Sequence, residues 1–284
     1  MADLHINNNK GWQFKWEEWE DDIIREHYTS NGYEYILKLL PHRNKQGIQG
    51  RASKLGIRYL IYNKNYFNKI DTPTKSYWLG VLYADGYVTT HNRWGLQLCI
   101  EDLNHIQKLL DCIESNIIPK IQEKNNTKSC SFQINNSTMY NDLISNGVVR
   151  NKTTLLEFPN SDILLPKYIS HFIRGFFDGD GCVTYSNKDF IRKDRNNKIS
   201  NRLRKSVFFV CKSESFIKKL KDVLKDNNIN MNLYYNKRDK LPTLCVSNKE
   251  EIIKFYNYIY QNSDENNRLL RKYNKFQELL CHLQ

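Results

Sequence analysis

Two stretches of twelve residues decide the fold: Tyr77-Trp78-Leu79-Gly80-Val81-Leu82-Tyr83-Ala84-Asp85-Gly86-Tyr87-Val88 and Phe172-Ile173-Arg174-Gly175-Phe176-Phe177-Asp178-Gly179-Asp180-Gly181-Cys182-Val183. The second begins 95 residues after the first. Two more landmarks recur in the same order. His105–Leu109 parallels Phe216–Leu220, and Ile134-Asn135-Asn136 parallels Val246-Ser247-Asn248. Three matches in one order point to an internal duplication. Each copy reads as helix, strand pair, helix, strand pair, helix. The candidate strands are residues 95–100 and 131–135, then 206–212 and 243–247, short runs rich in β-branched or aromatic residues. Two antiparallel sheets with helices on one face make an α+β class, with the copies related by a pseudo-twofold axis.

Small residues stand four apart in each motif, Gly80 and Ala84, then Gly175 and Gly179. One turn apart on a helix, they let two backbones approach closely, so the motif helices are expected to pack on each other at the centre. Each helix then ends in Asp-Gly, and the glycines Gly86 and Gly181 are expected in the left-handed exit conformation. Asp85 and Asp180 thus sit where the helix dipole is already negative, and they repel each other. A hard dication with oxygen ligands relieves both problems: Mg²⁺ first, with Mn²⁺ as a substitute. Mg²⁺ held by two carboxylates can bind phosphate oxygens and activate water. The seven histidines show no metal-ligand spacing, and no organic cofactor is expected.

The pair of motifs resembles the LAGLIDADG homing endonucleases of the single-chain, two-motif type. FIRGFFDGDG is close to the second motif of that family and LGVLYADG to the first, with Tyr83 where Asp is frequent. Phe158-Pro159 and Leu165-Pro166 before the second motif also fit, and the resemblance covers roughly residues 76–284. It implies a saddle of two sheets over duplex DNA, reading a long site in the major groove. It also implies in-line hydrolysis of one phosphodiester per strand, leaving 5′-phosphate and 3′-hydroxyl ends. By the resemblance, Asp85 and Asp180 are the metal ligands, helped by the carbonyls of Ala84 and Gly179, while Asp178 is structural. A further Lys or Gln near the strand ends is implied, for which Lys212 and Lys249 are the candidates in the second copy. Copy one offers only Glu101 and Asn136 or Ser137 there. An RNA-binding intron maturase, or a transcription regulator on the same scaffold, stays open as an alternative.

The charge agrees with a nucleic-acid partner. The chain of 284 residues carries 43 Lys and Arg against 31 Asp and Glu, a formal charge of +12. Residues 35–70 hold eight Lys or Arg and no acid. Residues 188–205 hold eight more, among them Lys188, Arg192, Lys193, Arg195, Arg202 and Arg204, which are expected to meet phosphates. At 40% apolar and 13% aromatic, the chain is too apolar to be disordered. No apolar run is long enough to span a membrane, and the N-terminus lacks an apolar leader, so an intracellular place in cytoplasm or nucleoid is expected. The seven cysteines form no CxxC pair.

Ahead of the repeats, Trp16, Trp19, Ile23 and His27 fall at helical spacing; Tyr33, Ile36, Leu37 and Leu40 form a second run that ends at Pro41. A third helix is expected from Asn44 as cap to Gly56 as stop. Three short helices with core tryptophans and a basic third helix resemble Myb/SANT-like helix-turn-helix modules. Arg43, Lys45, Gln46, Gln49, Lys54 and Arg58 are then the DNA contacts. The expected organisation is a helical module at 1–62, an extended linker at 63–75, and repeats at 76–160 and 161–284, acting as a monomer.

Overall fold

In a computed structural model of the chain, residues 15–150, 152–186, 191–193, 199–201, 204–236 and 240–283 are described, without the side chains of residues 153, 191–193 and 199–201. The chain divides into residues 1–61 and 62–284.

The first unit contains α1 (Glu18–Leu39) and α2 (Lys45–Lys54). α1 is two helices broken at Gly32, whose φ of 71° and ψ of −174° no helix contains. A side chain at this φ is strained, and its Cβ would lie 3.0 Å from the Tyr59 ring. Asn44 caps α2, accepting from the Gly47 amide at 2.8 Å, and Gly56 takes the left-handed exit with φ 71°. The core is Ile24, Tyr28, Ile36, Leu40, Ile48 and Ala52. The apolar face of α1 is therefore shifted by one residue from Ile23 and His27. Trp19 is 53% exposed rather than central. The reason is electrostatic. Glu20 and Asp21 are buried, each pinned by an arginine from the α2 region, and that pairing turns Trp19 outward.

The second unit repeats one plan. In the first copy, α3 (Pro73–Ala84) leads into β1 (Gly86–Val88) and β2 (Arg93–Cys99), then α4 (Leu103–Cys112), β3 (Lys120–Lys124), β4 (Thr127–Asn135) and α5 (Ser137–Ser145). A short α6 (Lys152–Leu155) follows. In the second copy, α7 (Ile169–Asp180) leads into β5 (Gly181–Ser186). A small hairpin, β6 (Ile191–Lys193) and β7 (Ile199–Asn201), is inserted before β8 (Arg204–Val210). Then come α8 (Glu214–Asp226), β9 (Asn232–Tyr235), β10 (Pro242–Val246), α9 (Lys249–Tyr260) and α10 (Leu270–Cys281). The sheets run β1-β2-β4-β3 and β5-β8-β10-β9, the same antiparallel order twice. The hairpin accounts for the extra length of the second copy between its first two landmarks.

Segment 63–75 is not a free linker. Phe67 and Ile70 are buried in the common core, and Phe67 meets Trp94 edge-on at 5.9 Å. Its apolar residues lack a period because they serve a turn rather than a helix or strand. Pro73 opens α3 from its first turn behind the Thr72 cap. Every residue from Ser76 to Ala84 and from His171 to Asp178 is buried, so α3 and α7 form the centre of the second unit. Two of those residues are charged. Arg174 donates to the carbonyls of Asn267 (2.7 Å) and Ile259 (2.8 Å) and to Asn267 Oδ1. Asp178 accepts from the Tyr77 and Tyr260 hydroxyls and the Leu269 amide at 2.6–2.8 Å, a structural role.

A candidate catalytic centre where two helices end

The approach of α3 to α7 is backbone on backbone. A Cβ at Gly80 would lie 2.1 Å from the Phe172 carbonyl oxygen, and one at Gly175 would lie 2.0 Å from that of Tyr77. One turn on, a Cβ at Gly179 would meet Ala84 Cβ at 2.2 Å and Asp85 Oδ2 at 2.8 Å. The Asp85 carboxylate therefore lies against the residue that precedes Asp180. The glycines after the acids do not use the left-handed conformation expected of them. Gly181 has φ −76° and ψ 158°, and Gly86 is not among the residues with positive φ. They are glycine because the chain turns back tightly over the helix: a Cβ at Gly86 would lie 2.6 Å from the Leu82 carbonyl oxygen, and one at Gly181 would lie 2.1 Å from the Phe177 ring.

Two carboxylates at two dipole-negative ends are balanced by two ammonium groups that the motifs do not contain. Lys152 Nζ donates to the carbonyls of Leu82, Ala84 and Gly86. Lys272 Nζ donates to those of Phe177 (2.8 Å), Gly179 (2.9 Å) and Gly181 (2.6 Å). Counted from each acid, both lysines take the carbonyls three before, one before and one after. The pseudo-twofold axis thus extends to the cations. Each fills the role of a helix C-cap. Burial pulls both lysine pKa values down, opposed by the nearby carboxylates.

Burial, then the negative charge of Asp180, pushes the Asp85 pKa up to about 6, with Lys152 and Lys272 acting against it. Asp180 is exposed, yet the surrounding protein desolvates its carboxylate enough to raise its pKa, again opposed by the two lysines. A carboxylate held above its ordinary range is one whose charge lacks a partner. Beside Asp85 and Gly179 lies a cavity of about 440 Å³, also lined by Gln97, Asp102, His105 and Arg271. Arg271 closes one side with an ion pair to Asp102 at 2.7 Å.

The structure thus brings Asp85, Asp180, Ala84 and Gly179 together. It does not bring Lys212 or Lys249 to them. Both are exposed, Lys249 in the first turn of α9, and neither is among the charges that act on the acids. Lys152 and Lys272 were missed because each is a lone lysine in an unremarkable segment. The one available signal was positional: each stands in the first turn of the next helix, Lys152 in α6 after α5 and Lys272 in α10 after α9. The expected carbonyl ligands, Ala84 and Gly179, each already accept from a lysine, which leaves one lone pair apiece. Among the described residues, no group of three or more His, Cys, Asp or Glu converges as a metal site. The two carboxylates with their raised pKa values nevertheless suit a dication, since its charge would relieve both.

Of the expected DNA contacts, Lys45, Gln46, Gln49 and Lys54 are exposed on α2, and Arg58 is exposed just beyond it. Arg43 is a correction. Its side chain is only 10% exposed, paired with buried Glu20 at 2.6 Å and lying 4.1 Å from the Trp16 ring centroid, so it braces the unit instead. Arg204 is exposed at the start of β8. Lys188, Arg195 and Arg202 lie outside the described residues, as do the side chains of Arg192 and Lys193, whose backbone belongs to β6.

Residues 167–260 match the model of the LAGLIDADG-like domain, so the chain contains such a domain. Its fold is that of the LAGLIDADG homing endonucleases. The homing endonuclease I-WcaI bound to its DNA recognition sequence is similar at a TM-score of 0.51 and 15% identity, over 75% of this chain and 91% of that one. The I-SmaMI LAGLIDADG homing endonuclease bound to cleaved DNA is similar at a TM-score of 0.50 and 12% identity, over 76% and 89%. No curated protein matches the chain in sequence. Among the described residues, no helix is long and apolar enough to cross a membrane.

Proposed function

We propose that the protein is a site-specific double-strand DNA endonuclease of the homing type, which acts as a monomer on a long duplex site and requires a divalent cation, Mg²⁺ first. One observation carries this reading: two helix ends meet so that Asp85 and Asp180 share a point, each backed by its own buried lysine. A binding protein has no need of paired carboxylates facing a polyanion, because they weaken its hold on phosphate. The printed names of the structural relatives, homing endonucleases bound to target and to cleaved DNA, support the same substrate. The exposed face of α2 and Arg58 supply further backbone and base contacts, in the manner of a helix-turn-helix. Such an enzyme would work where duplex DNA is, in cytoplasm or nucleoid.

The residues divide the work as follows. Asp85 and Asp180 would hold the cation, with the free lone pairs of the Ala84 and Gly179 carbonyls beside them. A dication there supplies charge neutralisation at phosphate and acidifies water. Lys152 and Lys272 commit all three N–H donors to carbonyls, so they act as fixed charges and not as proton donors. They keep the two carboxylates tolerable together before DNA arrives. The glycine seam fixes the spacing of the two acids, one for each strand.

The test uses a supercoiled plasmid that carries an uninterrupted copy of the gene's insertion locus. Wild type should linearise it with Mg²⁺ and not with EDTA. Asp85→Asn or Asp180→Asn should keep DNA affinity and lose double-strand cleavage. Wild-type-like cutting by either variant would refute the assignment. Binding without cleavage by the unmutated protein would favour the regulator, and stimulated RNA splicing the maturase.

A further inference from the structure

The two sheets carry the same topology but differ in chemistry at matching outward positions. In the first, the inward residues are Trp94, Leu96, Phe132 and Ile134, all at 2% exposure or less. Outward stand Arg93, Gln97, Gln133 and Asn135, all exposed, with Gln97 paired to Ser131 and Arg93 to Asn135 across β2 and β4. In the second, the inward residues are Val183, Val207, Phe209, Leu244 and Val246. Outward, Cys182, Phe208 and Cys245 form one row across three strands, and Val210 pairs with Thr243 in the next. Phe208, Val210, Cys182 and Cys245 are each only partly buried.

The registers allow a position-by-position comparison. Gly86 pairs with Leu96 as Gly181 pairs with Phe209. Gln97 therefore corresponds to Val210, and Gln133 to Cys245. Where the first sheet offers amides that donate and accept, the second offers an isopropyl group and a thiol. Amides and guanidinium read base edges by paired hydrogen bonds. Aliphatic and aromatic groups have one feature to recognise in the major groove, the thymine C5-methyl. Phe208 and Val210 are partly open to water, and an apolar group seated on them would complete their burial. A chain of charge +12 recruits the polyanion on which those methyls stand.

We infer that the two half-sites differ in kind: the second sheet recognises thymine methyls next to the cleavage centre, whereas the first reads base edges by hydrogen bonds. The inference rests on the endonuclease reading and deepens it by naming the class of target. The two apolar rows span about 7 Å of strand, so about two base pairs on the side of the second repeat are affected. They lie at the Gly181 end of the sheet, beside Asp180. Farther out, Ser206 and Arg204 restore polar contacts.

The full chain should be used to select binders from a randomised duplex library in Ca²⁺, and the recovered site then rebuilt with single thymine-to-deoxyuridine replacements. The expected site is asymmetric, with thymines at the centre-proximal positions of one half. Each methyl removed there should weaken binding about fourfold, as loss of one methylene-sized contact does. The same replacement in the other half should change binding by less than about twofold. Val210→Gln should abolish the uracil sensitivity at its position and leave the preference of the other half unchanged. A recovered site whose halves respond equally to uracil overturns the inference and leaves the endonuclease reading standing. Failure to recover any duplex overturns both.

Discussion

Gly175→Ala is the sharpest test of the central seam. The added methyl carbon would lie 2.0 Å from the Tyr77 carbonyl oxygen and 2.9 Å from the Val81 amide nitrogen. Non-bonded carbon contacts become attractive near 3.5 Å, so α3 and α7 must part by about 1.5 Å locally. Overpacking costs about 1–3 kcal/mol, and with backbone on both sides the upper end applies. For a unit of this size, about 3 kcal/mol lowers Tm by about 6–12 °C. Cleavage should fall further than stability does, because the same displacement carries Asp180 away from Asp85, and a misplacement of about 1 Å costs about 100-fold in rate. Leu220→Ala in α8 is the control. Leu220 is fully buried, its truncation costs about 2–5 kcal/mol, and it belongs to neither motif helix. Thermal unfolding and single-turnover plasmid cleavage should be read at a temperature where both variants are folded. The expected pattern is a similar Tm loss in both and a cleavage defect in Gly175→Ala alone. An unaltered Tm in Gly175→Ala, or equal cleavage defects in both variants, would show that the seam does not set the spacing of the acids.

Lys272→Met leaves three buried carbonyls without their donor and two carboxylates with Lys152 alone, so it should lower Tm by an amount equivalent to about 3 kcal/mol in calorimetry, and should raise the Asp85 pKa further by NMR. The sign of the pH effect follows from the same group. With its pKa raised from 3.8 to about 6, Asp85 binds an extra proton in the folded state between those values. In EDTA the second unit should therefore lose up to about 3 kcal/mol as pH rises from 4 to 7, with Mg²⁺ restoring it and Asp85→Asn flattening the profile in thermal scans. Glu20 works in the opposite direction. The Arg43 hydrogen bond holds its pKa down at about 2, so the first unit should lose stability as pH falls from about 4.5 towards 2, and Arg43→Met should weaken that dependence in circular-dichroism melts, leaving the part that the Arg51–Asp21 pair contributes. Deleting residues 1–61 should weaken binding to the target duplex more than it slows cleavage of bound DNA. An unchanged Kd in filter binding would end the DNA role of that unit.

What could be read in the sequence was what repeats. The motif helices, the strand pairs and both acids were legible because duplication supplies a second copy against which to check each position. The cations were not legible. Lys152 and Lys272 each act from the first turn of the helix that follows α5 or α9, outside the landmarks that repeat, and a lysine that donates to carbonyls leaves no residue pattern, since any residue can supply a carbonyl. Lys212 and Lys249 were chosen instead because they stood at strand and helix ends, where proximity in sequence stood in for proximity in space. The face of α1 was misread for a related reason: hydrophobic periodicity assigns Trp19 inward, but the ion pairs of Glu20 and Asp21 with Arg43 and Arg51 fix the rotation of the helix. Charge pairing across a core overrides a period of apolar residues that is only four positions long.

The same logic explains why stability and chemistry are joined at one point in this molecule. Glycine at positions 80, 175 and 179 lets two helix axes approach until their backbones touch. That approach makes a strong seam and also brings two dipole-negative ends and two carboxylates together, an arrangement that raises the Asp85 pKa to about 6. Lys152 and Lys272 offset the cost only in part, since both acids remain above their ordinary range in their presence. A site that removed the residual strain with another fixed cation would be more stable and would have no reason to take up a dication. The unrelieved charge is therefore the property on which metal binding depends. A lysine placed beside it, for example at Gln97, should raise the Tm in EDTA while abolishing the stabilisation by Mg²⁺.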